Sequence, residues 1–533
     1  MSGHLTFGTG GLRGVLGAGM DRMNLDTVAI ATRGLADYLI ESGGGSVCIA
    51  YDTRNLSTEF AEKAAGVLAA AGIKVYIFSG VRPTPMLSFA VRDKGAAAGI
   101  VITASHNPPE YNGYKVYGPD GGQITDAAAD AISAYMGRYE TAEDIVCLRT
   151  CDAREHGMLE YMDDVDAVYY AKVTDLSIRK EMLAQHGSEL RILYSPLHGA
   201  GNIPVRHVLG ALGFAGLRLV AEQTEPDGDF PTVAVPNPEE SSVYELAKKL
   251  AAETKPDIIF ATDPDCDRIG VLAGTGDGEY HLFNGNEIGA LLCEYILSSR
   301  KELGGLGANP AIIKTIVTTE LARAICTKNE IDLVETLTGF KYIGEKIGEW
   351  EKTRAHTFLF GFEESYGYLA GDFVRDKDAV IAAVLISEMA LFHKLRGKTL
   401  VDAFGELNER YGYTKEILIS RTMKGLEGMA QIAEIMSRFR EDYRMLLAGE
   451  KILLASDYES SVEKNVITGE EAAIVLPKSN VLRFTFEDGS WLACRPSGTE
   501  PKIKFYIGAN GASQAEADLR ADGLAGKIEG ITK

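Results

Sequence analysis

Four times in this chain an apolar run breaks off into a polar loop, and those breaks limit the folds open to it. The sharpest is Gly99-Ile100-Val101-Ile102-Thr103, which runs through Ala104 into Ser105-His106-Asn107-Pro108-Pro109. The β-branched run has the composition of a buried strand. Two prolines cannot continue a hydrogen-bonded ladder, so the chain must turn there and leave a serine and a histidine at the strand end. Residues 257–261 lead in the same way into Thr262-Asp263-Pro264-Asp265-Cys266-Asp267-Arg268. Residues 357–360 lead into Gly361-Phe362-Glu363-Glu364-Ser365-Tyr366-Gly367-Tyr368. A fourth strand ends in Arg495-Pro496-Ser497-Gly498-Thr499-Glu500-Pro501-Lys502. Open α/β sheets bind ligands beyond such strand ends.

Between these runs, strand and helix signals alternate. Residues 24–40 read as a helix. Residues 47–50 read as a strand running into Tyr51-Asp52-Thr53-Arg54, Ser57 as the cap of the next helix, and residues 74–78 as a strand. Such alternation means a mostly parallel sheet covered on both faces. Residues 7–14 form a glycine-dense stretch with one arginine, Arg13, the make-up of a loop that brings backbone N–H groups close to a phosphate. The charged stretch 135–180 reads as a helical connection. A second α/β unit begins at residues 191–194, followed by Ser195-Pro196-Leu197-His198-Gly199-Ala200-Gly201. A third begins near His281 and includes the loop 336–341 and a long apolar helix at 379–395. From Tyr413 the texture changes, with helices at 427–447 and 513–528 flanking strands at 481–486, 491–494 and 503–507, an α+β appendage.

A chain of 533 residues is expected to form about three to four domains. Asp plus Glu total 75 against 54 Lys plus Arg, a formal charge of −21, which argues against general binding to nucleic acid or anionic membranes. The seven cysteines include no Cys-x-x-Cys pair, as expected of reduced thiols. The N-terminal stretch has no basic region followed by an apolar core, so no signal peptide is expected. Residues 379–392 are interrupted by Ser387 and Glu388 and do not make a membrane span.

Asp263, Asp265 and Asp267 lie at alternate positions, which puts three carboxylates on one side if the loop is extended. Three hard oxygen donors suit Mg²⁺ or Mn²⁺ better than zinc, and three close carboxylates repel one another unless a cation sits among them. An EF-hand is excluded, because Arg268 falls where its glycine belongs and Gly274 where its glutamate belongs. Ser105 lies in no Gly-x-Ser-x-Gly context, and a neutral hydroxyl is a poor nucleophile and a poor ligand. A phosphorylated Ser105 would complete the metal site, and the cation would polarise its P–O bond. Arg495, Ser497, Thr499 and Lys502 have the make-up of a phosphate cradle. Glu363 and Ser365 suit vicinal sugar hydroxyls, whereas adjacent Glu363 and Glu364 cannot flank one glycosidic bond from both sides.

Together these loops resemble the α-D-phosphohexomutase family, most closely its phosphoglucomutase branch, over nearly the whole chain and in the family's motif order. TASHNP is similar to the phosphoserine loop, DPDCDR to the metal loop, FEESYG to the sugar-binding loop, RPSGTEPK to the phosphate-binding loop and TLTGFK to the loop that reads sugar orientation. Pro264 and Cys266 replace two glycines usual in the metal loop, which stiffens the turn and keeps every ligand. The resemblance implies an α/β fold of three related α/β domains with mixed, mostly parallel sheets, plus a C-terminal α+β domain, around a central cleft. The implied spans are 1–175, 176–280, 281–410 and 411–533. It implies that Ser105 is the phosphoserine, that Asp263, Asp265 and Asp267 hold one Mg²⁺ with it, and that Arg13 and Lys115 flank the transferring group. Lys115 then shares in proton transfer, with His106 and Arg268 beside the centre. Thr338, Gly339, Lys341, Glu363, Ser365 and Lys377 would meet the sugar, and Arg495, Ser497, Gly498, Thr499 and Lys502 the non-reacting phosphate. The implied reaction interconverts glucose 1-phosphate and glucose 6-phosphate through a bisphosphorylated sugar, with glucose 1,6-bisphosphate as activator. Mannose or pentose phosphates are alternative substrates, and a metal-dependent sugar phosphatase an alternative activity. The expected partner is a small phosphosugar, with no nucleic acid and no membrane, for a cytoplasmic monomer or homodimer.

Overall fold

A computed structural model describes residues 5, 7–8, 10–423, 425–497 and 502–532. The chain forms two compact units, residues 1–313 with 339–403, and residues 314–338 with 404–533. In the first unit, a six-stranded sheet runs in the order Gly11–Val15, Tyr111–Tyr117, Ala98–Ile102, Ser46–Tyr51, Lys74–Ile77, Leu159–Tyr161. Its last four strands are parallel and the Tyr111–Tyr117 hairpin edge is antiparallel. Val47, Ile49, Ile100 and Ile102 from the central strands pack with Leu35, Phe60 and Leu68 from the flanking helices in one buried cluster. A five-stranded sheet follows, ordered Tyr280–Phe283, Ile269–Gly274, Ile258–Thr262, Ile192–Ser195, Leu217–Leu219. Three of its strands are parallel and two antiparallel. The antiparallel hairpin Thr357–Glu363 with Gly367–Leu369 and the helices Gly285–Leu303, Phe340–Thr353 and Ala379–Lys394 complete the first unit.

Helix Ala379–Lys394 is buried from Ala379 to Leu391, as a sequence apolar on every face but for Ser387 and Glu388 requires. It carries one internal carboxylate, Glu388, with no exposed surface. Glu388 accepts hydrogen bonds from the Ser177 hydroxyl, from the backbone N–H groups of Ile178 and Arg179, and from the Tyr295 hydroxyl at 2.7 Å. At the helix start, Asp378 caps Val380 and Ile381 through one oxygen and takes the Tyr169 hydroxyl on the other, at 2.7 Å.

The second unit is built on a seven-stranded sheet, ordered Tyr413–Thr422, Lys502–Gly511, Trp491–Pro496, Leu482–Phe486, Ile452–Asp457, Val462–Asn465, Glu471–Ala473. All its pairings are antiparallel. Helices Gly425–Leu446 and Gln514–Ile531 cover it, and Phe439, Phe484 and Phe505 centre its core. In the same unit the fully buried Lys314 ammonium donates to Glu335 at 2.8 Å and Glu320 at 3.1 Å. Arg483 reaches Glu320 at 2.7 Å. The expected fold class, mixed α/β sheets followed by an α+β appendage, is the one observed.

Three local expectations fail. Residues 11–15 are an edge strand and not a loop, because Gly11 packs on the Tyr114 carbonyl, where a Cβ would come within 2.1 Å of the oxygen. Ser57 does not cap its helix. It is the first helical residue, and its hydroxyl donates to Asp52 at 2.8 Å. The connection at 135–180 is not helical throughout, since Leu159–Tyr161 adds a parallel strand to the first sheet.

Candidate active site

The central strands of both α/β sheets in the first unit deliver their polar ends to one place. Strand Ala98–Ile102 ends at Ser105, which is 4% exposed and held in the left-handed region at φ 53°. A non-glycine residue there stores backbone strain and persists only where its surroundings over-determine it. The determinant is Arg54, at the end of the neighbouring parallel strand Ser46–Tyr51. Its guanidinium donates to the carbonyls of Ser105, Asn107, Pro108 and Tyr111. Arg54 is backed by buried Asp52 at 3.4 Å and by the Phe230 ring at 5.0 Å. Sequence reasoning missed this role, although Asp52 and Arg54 close an apolar run as Ser105 does.

Strand Ile258–Thr262 ends in the aspartate loop. It is a turn and not the extended segment expected. Cys266 adopts φ 51°, and its N–H donates to the Asp263 carbonyl at 2.9 Å. The three carboxylates converge all the same, with ligand oxygens of Asp263, Asp265 and Asp267 within 4.8 Å of one another and all buried. The turn is braced from beneath by the loop after Ile192–Ser195. The Ala200 N–H donates to the Pro264 carbonyl at 2.8 Å. A Cβ on Gly201 would lie 2.6 Å from the Tyr194 hydroxyl and 2.7 Å from the Cys266 sulfur.

Ser105 Oγ donates to Asp263 Oδ2 at 2.7 Å and lies 3.1 Å from His106 Nδ1. One hydroxyl has one proton, so the histidine contact is satisfied when Nδ1–H is the donor. Burial, reinforced by the Arg268 and Arg13 charges, holds the His106 imidazole well below its usual range, so it is neutral near pH 7. Lys115 Nζ is 2.9 Å from Asp265 Oδ2, and Lys377 Nζ is 3.0 Å from Asp267 Oδ2. Lys377 also contacts Asp376, which accepts the Tyr117 hydroxyl at 2.6 Å. Burial opposes the charge on Lys377, but Asp267, Asp376 and Glu363 outweigh it and raise its affinity for the proton. Arg13 reaches Asn107 at 3.3 Å.

Burial and mutual repulsion push the carboxyls of Asp263 and Asp267 up. Burial acts on Asp265 too, but Lys115 and hydrogen bonds from Asp263 and Thr84 hold it down. Asp265 Oδ1 and Asp267 Oδ1 are buried with no hydrogen-bond partner. Two buried carboxylate oxygens without hydrogen-bond partners, one of them 3.9 Å from Arg268 Nε, are the donors a hard divalent cation takes, so the residues fit a metal.

The hairpin loop after Thr357–Glu363 joins the same site. Gly367 bridges to Arg268, and the Ile269 N–H donates to the Tyr366 carbonyl at 3.2 Å. Glu363 is 4% exposed, and burial raises its carboxyl despite Lys377, Arg268 and the Ser365 hydrogen bond. Arg268 forms an ion pair with Glu239 at 2.9 Å. Lys341 is paired with Asp126 at 2.8 Å, and Gly339 precedes helix Phe340–Thr353 at φ 117°. In the second unit, the Thr338 hydroxyl is buried without a hydrogen bond. There too, Arg495 ends strand Trp491–Pro496, and the Ser497 N–H closes on the Lys502 carbonyl at 2.7 Å. Gly498 and Thr499 lie outside the described residues.

Four family models match in chain order, described as phosphoglucomutase/phosphomannomutase alpha/beta/alpha domains I, II and III and the C-terminal domain. They cover residues 4–143, 167–276, 284–411 and 450–525. The chain therefore belongs to the phosphoglucomutase/phosphomannomutase family. Among its relatives is a phosphoglucomutase of Staphylococcus haemolyticus, 38% identical over 95% of this chain and 90% of that protein. A second, from Staphylococcus saprophyticus, is 39% identical over the same shares. Among solved structures, the open form of a phosphoglucomutase, parafusin, from Paramecium aligns at TM-score 0.73. It is 17% identical and covers 100% of this chain and 95% of that one. A family protein from Burkholderia thailandensis aligns at 0.67 with 20% identity, covering 100% and 98%. These two distant likenesses speak to the fold alone.

Proposed function

We propose that this chain is a phosphoglucomutase-type mutase that interconverts glucose 1-phosphate and glucose 6-phosphate, with Ser105 as its phosphoryl carrier. The carrying observation is the 2.7 Å contact between Ser105 Oγ and Asp263, beside two buried carboxylate oxygens that have no hydrogen-bond partner. Sugar identity is supported by the curated relatives, both phosphoglucomutases. Asp263, Asp265 and Asp267 would hold Mg²⁺. When bound, the cation offsets charge on the phosphoryl oxygens and draws electron density from the P–O bond. The free hydroxyl of the sugar monophosphate forms a bond to phosphorus as the Ser105 Oγ–P bond breaks. The hydroxyl proton ends on Ser105 Oγ, and neutral His106, 3.1 Å away, is placed to relay it. Lys115 and Arg13 carry positive charge beside the transferring group, and Lys115 is a second route for the proton. Glucose 1,6-bisphosphate is then both intermediate and activator, and its other phosphate returns to Ser105 after the sugar has turned over.

Glu363, Ser365, Lys377 and Arg268 are the proposed contacts to the sugar, with Thr338 and Gly339. Lys341 would join them by leaving Asp126. Arg495, Ser497, Gly498, Thr499 and Lys502 are proposed to hold the non-reacting phosphate, since guanidinium, ammonium and hydroxyl donors accept it in either sugar orientation. Phosphorylated substrates and seven cysteines that form no disulfide support a cytoplasmic location. No helix among the described residues is long and apolar enough to cross a membrane. All the proposed residues lie on one chain, so a monomer or a homodimer serves equally.

Ser105→Ala, assayed with glucose 1,6-bisphosphate present, is expected to lose turnover entirely. Wild-type turnover in that variant removes Ser105 as carrier. Mannose and pentose phosphates, run alongside glucose 1-phosphate, test the sugar preference. Phosphate release faster than isomerisation would mark a phosphatase instead.

A further inference from the structure

We infer that Thr84 sets which divalent cation this site accepts. The inference rests on the reading of the three aspartates as a metal site, and concerns how many oxygens each can offer. Thr84 is fully buried at the start of helix Thr84–Asp93, directly after Pro83. Pro83 holds the cap position and offers no side-chain oxygen to the helix. The helix has no side-chain cap, and the Thr84 hydroxyl donates to Asp265 Oδ2 at 2.8 Å. The Thr84 N–H holds the Asp265 carbonyl at 2.9 Å, which fixes the distance between the two residues.

Lys115 is the second donor to the same oxygen, at 2.9 Å, so Oδ2 of Asp265 is fully engaged while Oδ1 has no hydrogen bond. The other two aspartates are tethered alike. Asp267 Oδ2 faces Lys377 at 3.0 Å, and its Oδ1 takes no hydrogen bond, with Arg268 Nε 3.9 Å away. Asp263 Oδ1 takes the backbone N–H groups of Asp267 and Arg268 at 3.1 and 3.0 Å, leaving Oδ2 toward Ser105. Asp265 and Asp267 therefore each have one oxygen held and one without a hydrogen bond, and Asp263 has one oxygen held by the backbone and the other shared with Ser105.

That arrangement discriminates. Ca²⁺ takes about 6–8 oxygens and often chelates both atoms of a carboxylate, whereas Mg²⁺ needs an octahedron and keeps water among its ligands. Three carboxylates restricted to one oxygen each leave Ca²⁺ short of ligands and suit Mg²⁺. Of the tethers, Thr84 is the neutral side chain, so it can be removed without changing the charge of the site.

The test is calorimetric titration of MgCl₂ and of CaCl₂ into the full-length chain and its variants. Thr84→Val, which keeps shape and loses the donor, is expected to raise the Ca²⁺-to-Mg²⁺ affinity ratio by about tenfold, the lower end of what lost outer-sphere partners cost a metal site. Thr84→Ser, which keeps the donor, is expected to retain the wild-type ratio. Thr84→Ala is read in the same way should the valine variant not fold. An unchanged ratio in the donor-less variants overturns the inference while the metal site stands. A wild-type chain that binds neither ion overturns the metal site itself, and the inference with it.

Discussion

Arg54→Met removes the side chain that shapes the Ser105 loop, and its consequences can be worked from the contacts. The Arg54 side chain is fully buried, and its guanidinium serves four backbone carbonyls, those of Ser105, Asn107, Pro108 and Tyr111. Its partner Asp52 is equally buried. Removing one member of a buried ion pair costs about 3–5 kcal/mol. Each buried carbonyl left without a donor costs a further ~1–3 kcal/mol, some of it recovered as the loop relaxes. Burial already pushes the Asp52 carboxyl up in spite of Arg54, so it answers the loss by taking a proton, which limits the damage. A net loss of about 5 kcal/mol follows, within the ~5–15 kcal/mol of a typical domain. The variant should fold and melt about 10–20 °C lower, at ~2–4 °C per kcal/mol for a domain of 150–250 residues. Ser105 can then leave its left-handed conformation, and a displacement of about 1 Å at a reacting atom lowers turnover by about 100-fold. Arg54→Lys should recover stability but little activity, because one ammonium cannot span four carbonyls. Thermal unfolding and a coupled mutase assay on the same preparations measure both. A methionine variant that melts and turns over like the wild type refutes the assignment.

Two further outcomes follow from other contacts. Burial raises the Glu320 carboxyl, but Lys314 and Arg483 outweigh it and hold it at about 2 against an ordinary 4.5. A carboxylate depressed on folding contributes stability that is complete above its unfolded value and disappears as pH falls through its folded one. The second unit should therefore lose about 3 kcal/mol through Glu320 between pH 4.5 and 2. Glu320→Gln should flatten that acid slope in denaturant unfolding, and an unaltered slope counts against the ion-pair account. Gly201→Ala forces a methyl group to within 2.6 Å of the Tyr194 hydroxyl and 2.7 Å of the Cys266 sulfur. It should cost about 1–3 kcal/mol by overpacking and weaken Mg²⁺ binding by displacing the aspartate turn. Unchanged metal affinity would show that the turn does not depend on that brace.

The strand ends were legible because the change from β-branched to polar residues is local, and the structure brings Ser105, Asp263 and Glu363, from three of the four breaks, together. What the sequence hid was held by partners far along the chain. Arg54 and Thr84 act on residues 51 and 181 positions away; Arg54 does close an apolar run as Ser105 does, but nothing local names its partner, and no local pattern marks Thr84. The convergence of the aspartates was expected for a wrong geometric reason. Alternation puts the three carboxylates on one side only if the loop is extended, whereas a turn with Cys266 at φ 51° brings them together. Gly11 was misread because glycine serves loops and close strand packing alike, and only the neighbouring Tyr114 carbonyl decides between them. The strand Leu159–Tyr161 escaped notice because three residues are too few to set a period.

Glu388 gives the first unit a mechanical character. A single carboxylate inside an otherwise greasy helix gathers donors from residues 177–179 and from Tyr295, which belong to separate stretches of chain. Sliding that helix by one turn, about 5.4 Å, would strand the charge with every donor out of reach. The end of the stretch that reads in the sequence as a connection, residues 177–179, is thus bolted to this helix. Any motion within the first unit must draw its play from elsewhere than that seam.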